Sequence, residues 1–343
     1  MGAVRWGLLS TANINRRIIP AIRASRRGHL VGVASRSLAS AEHYAAHWEI
    51  PRAFESYEAM LASDEVDAVY ISLPNHLHAE WTINALQAGK HVMCEKPFAL
   101  SLADVDAMIA AAHKCGRVLA EAFMYRHHPQ TKIVGEWVRS GRLGQISLVR
   151  SLFNFNMGTR DNVRLVPEWG GGCLWDVGVY PLSFAQYVMG GPPEWVSGSQ
   201  WLGESGVDES FVGQMAYAGG RLAQISSAFR TPFLTQAEII GTEGRLLLNR
   251  PFTMLDETRE LLFFRHEGQP EHISVPEQEL YRGEIADMHA AILDGERPYL
   301  TLQETRNHVK TVLALYAAAN EQRVVYLSEM EPATTTNMND RGE

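Results

Sequence analysis

The chain has 343 residues, 46% of them hydrophobic and 20% charged, an ordinary balance for a folded globular protein whose length allows two domains. A net charge of -8 gives no global attraction to nucleic acid or to an anionic membrane, and no run approaches the roughly 20 apolar residues that a membrane helix needs. Three scattered cysteines (Cys94, Cys115 and Cys173) without a Cys-x-x-Cys, and a start that goes straight into a strand pattern, point to free thiols in a cytoplasmic protein.

The first apolar run, Val4 to Leu9, reads as a strand. The turn Ser10-Thr11-Ala12-Asn13-Ile14-Asn15 follows, then a helix pattern from Arg16 to Ile22. Strand, tight turn and helix is the order in which a Rossmann unit holds a dinucleotide pyrophosphate on helix N–H groups. Ser10, Ala12 and Asn15 replace the three glycines of Gly-x-Gly-x-x-Gly, so spacing alone gives a weak motif and an ordinary βα turn is the alternative. Small residues at the first two positions still let the backbone approach a phosphate. The second strand, Leu30 to Ala34, ends in Ser35-Arg36-Ser37. A carboxylate at this point reads the ribose 2′-hydroxyl of NAD, whereas an arginine accommodates the 2′-phosphate of NADP. No carboxylate is present and Ser35 and Arg36 can donate to phosphate, so NADP(H) is expected over NAD.

Helices over Ser40 to Trp48 and near Tyr57 to Leu61 lead to a strand, Asp67 to Ser72, and the loop Leu73-Pro74-Asn75-His76-Leu77-His78. A helix from Ala79 to Ala88 returns to His91-Val92-Met93-Cys94-Glu95, a strand of buried character that ends on Lys96-Pro97. An ammonium at the end of a buried strand is costly unless something uses it, and ligands of open α/β sheets bind off the carboxyl ends of strands. Lys96 is therefore the expected chemical centre. Ser101 caps the next helix, Gly116 stops it, and Val118 to Ala122 is another strand. This alternation predicts a doubly wound parallel sheet over residues 1–123, with loops 10–15, 35–37, 73–78 and 95–97 along one crevice.

From residue 124 the rhythm changes. A helix over Pro129 to Ser140 precedes the strand-like runs Ile146–Phe155, Trp195–Leu202, Phe211–Tyr217, Leu222–Phe229, Gln236–Gly241, Arg245–Asn249, Leu261–Arg265 and His272–Val275. Consecutive strands joined by turns predict a large, mostly antiparallel open sheet in a second, α+β domain, 124–327, with late helices about Tyr281–Leu293 and Leu302–Glu321. Its open face suits self-association, so a homodimer or larger assembly is expected. Residues 328–343 are polar and expected to be disordered. Gly170-Gly171-Gly172 lets the backbone approach a ligand. Asp176 and Tyr180, four apart at a helix start, fall on one helix face; the plain alternatives are a dipole-stabilised carboxylate and a core aromatic. Phe153 and Phe155 share a strand face that walls either a pocket or the sheet core. His127-His128 has no cysteine or acidic neighbour at ligand spacing, so no metal is expected.

Four segments carry a family resemblance: Glu95-Lys96-Pro97, Pro74-Asn75-x-x-His78, Glu121 to Gln130, and Gly170 to Tyr180. With the two-domain pattern they resemble the Gfo/Idh/MocA family (glucose–fructose oxidoreductase and inositol dehydrogenase), over residues 3–327. The Ser-Thr-Ala turn, Ser35-Arg36 and Asp176-x-x-x-Tyr180 are most similar to its NADP-dependent dimeric dihydrodiol dehydrogenase and D-xylose 1-dehydrogenase branch. Many sugar dehydrogenases of the family carry His where this chain has Tyr180, a departure that weighs against histidine chemistry. The resemblance implies hydride transfer between NADP and a hydroxyl or carbonyl carbon of a sugar, sugar derivative or dihydrodiol. Lys96, Asp176 and Tyr180 would handle the proton and, with Phe155, meet the substrate. Tyr180 would carry it, with Lys96 lowering its pKa, or Lys96 would be the acid/base itself. The cofactor would lie on Ser10, Thr11, Ala12, Asn13, Ile14, Ser35, Arg36, Leu73, Pro74, Asn75, His78, Glu95 and Lys96, with Arg126 and Arg164 touching cofactor or substrate. A ketosugar reductase and a non-catalytic NADP-binding regulator are the competing readings; a regulator has no reason to keep Lys, Asp and Tyr together.

Overall fold

The computed structural model describes residues 2–159, 161–253 and 260–331. The N-terminal part runs β1 (Val4–Leu9), α1 (Asn15–Ala24), β2 (Gly28–Ala34), α2 (Leu38–Trp48), β3 (Arg52–Phe54), α3 (Tyr57–Ala62), β4 (Ala68–Ile71), α4 (His78–Gln87), β5 (His91–Glu95), α5 (Leu102–Cys115) and β6 (Leu119–Ala122). Its six strands pair in parallel in the order β3-β2-β1-β4-β5-β6. All of β4 and the Val92-Met93-Cys94 centre of β5 are buried, as a parallel sheet covered by helices on both faces requires. Ser37, Ser56 and Ser101 cap α2, α3 and α5 by accepting N–H bonds from Ser40, Ala59 and Asp104, and Gly116 ends α5 in the left-handed conformation. The strand order reverses between β1 and β4, which opens a crevice at their carboxyl ends.

The second part runs α6 (Pro129–Arg139), β7 (Ile146–Asn156), α7 (Val179–Met189), β8 (Trp195–Leu202), β9 (Asp208–Tyr217), β10 (Arg221–Ala228), β11 (Arg230–Gly241), β12 (Gly244–Asn249), β13 (Leu261–Phe264), β14 (Glu271–Ile273), α8 (Arg282–Asp294), α9 (Leu302–Glu321) and β15 (Val325–Tyr326). Its nine described strands are ordered β14-β13-β12-β11-β7-β10-β9-β8-β15. The pairing is antiparallel except between β7 and β10. The chain leaves β7, builds the β8–β10 meander from the outside inward, and so returns parallel to β7 before crossing to β11. Helices α7 and α9 cover one face. Val212, Leu222 and Trp201 are exposed on β9, β10 and β8.

Two features differ from the sequence expectation. The late helices, assigned to the second domain, also pack on the first. Trp6 Nε1 in β1 donates to His289 Nε2 in α8 at 2.9 Å, and Thr305 Oγ1 in α9 donates to Glu121 Oε2 in β6 at 2.8 Å. The order also extends past residue 328: Leu327–Met330 forms a 3-10 turn, and Glu331 pairs with Arg306 and Lys310. The rest of the expected disordered tail, 332–343, lies outside the described residues. No described helix is long and apolar enough to cross a membrane.

Candidate active site

The carboxyl ends of β1, β4 and β5 and the Gly-rich segment before α7 enclose a cleft of about 570 Å³. Ala12, Ile14, Ser72 to Asn75, His78, Glu95 and Lys96 line it from the first domain. Met124, Phe153, Phe155, Val163, Arg164, Trp169 to Gly172, Asp176, Val177, Tyr180, Phe233, Thr253 and Tyr281 line it from later in the chain.

Lys96 sits where β5 ends, 13% exposed, with its peptide bond to Pro97 cis. Its Nζ donates to the Asp176 carboxylate at 3.0 Å and to the Asp176 backbone carbonyl at 2.7 Å. That carbonyl lies in a π-helical turn, Leu174–Gly178, that runs into α7. Pro181 has no N–H, so the donor five residues on, which a π turn would bring to the Asp176 carbonyl, is missing. The other Asp176 oxygen accepts from Arg164 Nε at 2.5 Å, and Arg164 is steadied in turn by Asn162 Oδ1. Burial alone would push the Asp176 carboxyl up; the Lys96 and Arg164 cations outweigh it and hold its pKa down at about 2. A carboxyl depressed below its ordinary 3.8 contributes stability that is complete above that value and lost as pH falls through about 2. The clamp is thus intact at any working pH. A carbon-detected NMR titration should find the Asp176 carboxyl unmoved down to pH ~3; a midpoint near the ordinary value would mean that the clamp does not form.

Tyr180 is buried, its ring 5.3 Å from Lys96 Nζ and packed among Phe123, Tyr125, Phe153 and Phe252. Its hydroxyl donates to Met124 Sδ at 3.7 Å, a weak sulfur acceptor. Burial raises its pKa well above 10, and the nearby Tyr281, Glu95 and Asp176 add to the rise. This reverses the expected lowering by Lys96, whose charge is committed to Asp176. The hydroxyl is held in its protonated form.

On the cofactor side, Ser10 adopts φ 126°, a glycine-type conformation, at the position of the first motif glycine. Local hydrogen bonds hold it there: Ser10 Oγ meets the Ser72 hydroxyl at 2.9 Å and accepts from Ala12 N–H at 3.1 Å. Asn15 Nδ2 donates to the Ser10 carbonyl at 2.8 Å, and Ser72 Oγ donates to Asn15 Oδ1 at 2.7 Å. Helix α1 starts beyond this turn with no side-chain cap and no acid in its first turn; the N–H groups of Asn15, Arg16 and Arg17 donate to the Ala12, Asn13 and Ile14 carbonyls, so what the helix offers a pyrophosphate is its positive dipole end. Ser35 and exposed Arg36 follow beside this turn, because β1 and β2 stay paired to Leu9 and Ala34 and Ser10 N–H donates to the Ala34 carbonyl at 3.1 Å. The donor set therefore fits a dinucleotide carrying an extra phosphate.

Leu73, Pro74, Asn75, His78, Glu95, Arg164 and Phe155 all fall on the cleft. Asn75 Nδ2 bridges to the Gly170 carbonyl at 2.9 Å, tying the two sides together. His78 spans the Pro97 and Leu73 carbonyls, both at 2.8 Å, and burial outweighs them to bring its pKa down to about 4. It splints two loops of the site. Glu95 accepts from the Tyr70 hydroxyl and from Lys96 N–H. Arg126, expected to touch cofactor or substrate, lies outside the cleft: it is 1% exposed, paired with Glu304 at 2.8 Å, and its guanidinium stacks on Tyr187. Of the other residues expected at the cofactor, Ser10, Thr11 and Asn13 on the turn after β1 and Ser35 and Arg36 after β2 do not line the cleft. Sequence reasoning missed Tyr281, Phe233 and Trp169. Tyr281 comes from just before α8 and carried no local signal; Trp169 precedes the noted glycines and stacks on His76, centroids 5.4 Å apart.

Two family descriptions match the chain: an oxidoreductase family with an NAD-binding Rossmann fold over residues 4–123, and a GFO/IDH/MocA C-terminal domain over residues 131–247. A D-xylose 1-dehydrogenase (NADP(+)) of Haloferax volcanii is 35% identical over 324 residues, covering 94% of this chain and 99% of that one. A trans-1,2-dihydrobenzene-1,2-diol dehydrogenase of Danio rerio is 34% identical over 248 residues, covering 71% of this chain and 74% of that one. The crystal structure of a 3-ketoreductase from Actinomadura kijaniata, in complex with NADP and TDP-benzene, superposes with a TM-score of 0.87 at 29% identity, covering 92% of this chain and 98% of that one. That enzyme was also solved with a lysine replaced by alanine and with a tyrosine replaced by phenylalanine. On both domains and over nearly its whole length, this chain belongs to the Gfo/Idh/MocA family of oxidoreductases.

Proposed function

We propose that the protein is an NADP(H)-dependent oxidoreductase that interconverts a hydroxyl and a carbonyl group on a sugar, sugar derivative or cyclic diol, with Lys96, Asp176 and Tyr180 handling the proton. The observation that carries this reading is the donor count at Lys96. An ammonium has three N–H donors. Two are bound to Asp176, and the third has no acceptor among the described residues. A substrate oxygen supplies that acceptor.

NADP(H), when bound, takes or supplies the hydride. Tyr180 gives its hydroxyl proton to a carbonyl oxygen on reduction and must recover it on oxidation. Lys96 polarises the same oxygen, and Asp176, clamped by Arg164, holds the ammonium in place. Phe153, Phe155 and Phe233 exclude water around the reacting carbon. Absorbance at 340 nm with a panel of pentoses, hexoses, their keto forms and trans-diols tests the reading. Tight NADPH binding without turnover of any of them would overturn it in favour of a regulator.

Arg36 and Ser35 account for the choice of NADP. Arg36→Ala should raise KM for NADP+ by ~10–100-fold, the worth of one charge-assisted phosphate contact, and leave NAD+ kinetics nearly unchanged. Equal losses with both cofactors would remove Arg36 from the 2′-phosphate site.

Self-association through the outer face of the nine-stranded sheet belongs to the same proposal. Val212, Leu222 and Trp201 expose apolar area there, and Arg230 lies 4.2 Å over the Trp201 ring. Light scattering should give at least twice the chain mass, and Val212→Lys combined with Leu222→Lys should return it to one. A monomeric wild type would contradict this.

A further inference from the structure

Behind the cleft, on the far side of the Gly-rich segment, lies a polar cluster that the chemistry above does not use. Asp208, the first residue of β9, is 2% exposed. Its Oδ2 accepts from the Leu174 N–H at 2.8 Å and from the Cys173 thiol at 3.1 Å. Its Oδ1 accepts from the Tyr316 hydroxyl of α9 at 2.7 Å. Gly172 makes this approach possible: it sits at φ 118°, and a Cβ there would overlap Asp208 Oδ1. Leu174 opens the π turn, Asp176 is two residues on and Tyr180 six. A buried carboxylate that is costly without partners has therefore been matched to three donors, two of them in the turn that begins the catalytic segment.

We propose that Asp208 is a positioning residue: by anchoring the start of the segment 172–180 to β9 and α9, it sets where Asp176 and Tyr180 stand relative to Lys96. The proposal rests on the catalytic reading of those three residues. Asp208 touches neither substrate nor cofactor; it acts through Leu174 and Cys173. The link is short and stiff. One carboxylate joins a sheet strand, a helix and the turn that carries Asp176, whose own carboxylate and carbonyl then fix the Lys96 ammonium. Loss of the anchor leaves the Leu174 N–H and the Tyr316 hydroxyl without an acceptor and frees the π turn to relax.

Asp208→Ala and Asp208→Asn in the full-length protein test this, assayed with NADP+ and whichever of D-xylose and trans-cyclohexane-1,2-diol the wild type oxidises faster. The alanine variant should lose ~100-fold in kcat, the scale of a 1 Å misplacement, with KM for NADP+ within threefold of wild type. The asparagine variant keeps an oxygen acceptor for Leu174 and should recover to within ~10-fold of wild type. Hydrogen exchange gives a readout that needs no substrate: peptides spanning 172–182 should exchange at least ~10-fold faster in the alanine variant, with those in β1 to β6 unchanged. Unchanged exchange over 172–182, wild-type kcat in Asp208→Ala, or no rescue by asparagine would each overturn the proposal. Lys96→Met and Tyr180→Phe run alongside separate the two claims: if they turn over normally, the catalytic reading fails, whereas if they are inactive and Asp208→Ala is not, only the anchor fails.

Discussion

Replacing Lys96 with methionine should lower kcat by ~10³–10⁴ in either direction, because it removes both the donor that polarises the substrate oxygen and the positive charge that accompanies the proton. Methionine keeps the length of the lysine stem and its packing against the Tyr180 ring, so the cleft is not emptied. The Asp176 carboxylate is not left bare, since Arg164 still holds its second oxygen. The structural cost is then the lost donor to the Asp176 carbonyl together with half of the cationic clamp on its carboxylate, on the order of 3 kcal/mol. NADPH affinity, read by fluorescence enhancement, should stay within threefold. Stopped-flow traces should show binding without hydride transfer. Turnover above a tenth of wild type would mean that Lys96 serves structure and that the proton is moved elsewhere. Arginine is a useful contrast: its planar fork cannot replace a point charge donating to two oxygens of Asp176 and a third on the substrate, so Lys96→Arg should stay impaired although the charge is kept.

Much of this site was legible because its position follows from strand direction. A parallel sheet puts every βα loop at one end, so a lysine ending an apolar strand, the turn after β1 and Ser35-Arg36 fall on the same edge of the sheet without knowledge of side-chain packing. What escaped depends on contacts between segments far apart in sequence. Tyr281 reaches the cleft because the chain before α8 folds back over the first domain, and Arg126 is drawn from the cleft to Glu304, 178 residues on. The three-residue β3 and two-residue β15 are too short to show alternation. The parallel β7–β10 pair is a matter of strand order, which local pattern does not encode. Ser10 shows the opposite case: the motif glycine is absent, yet its backbone conformation is kept, held by Ser72 and Asn15. The π turn at Leu174–Gly178 has no sequence signature beyond Pro181, and it changes how the Asp176–Tyr180 spacing projects from the helix.

Tyr180→Phe should cost ~10²–10⁴ in kcat, the range of a positioned general acid or base, with almost no loss of stability. The hydroxyl has one weak partner, Met124 Sδ at 3.7 Å, so removing it should shift the melting temperature by ~1 °C. A buried hydroxyl that contributes so little to the fold is free to act on a ligand. Its pH dependence follows from its pKa, which burial raises well above 10. Below that value the group is the protonated phenol, so carbonyl reduction, which consumes its proton, should be flat between pH 6 and 9. Alcohol oxidation needs the deprotonated form, whose fraction climbs tenfold per pH unit, so the oxidation rate should keep rising into the alkaline range. In Tyr180→Phe that rise should vanish together with the rate. A variant that stayed slow but kept the same alkaline rise would take the titrating proton away from Tyr180 and leave it the smaller task of orienting the substrate oxygen.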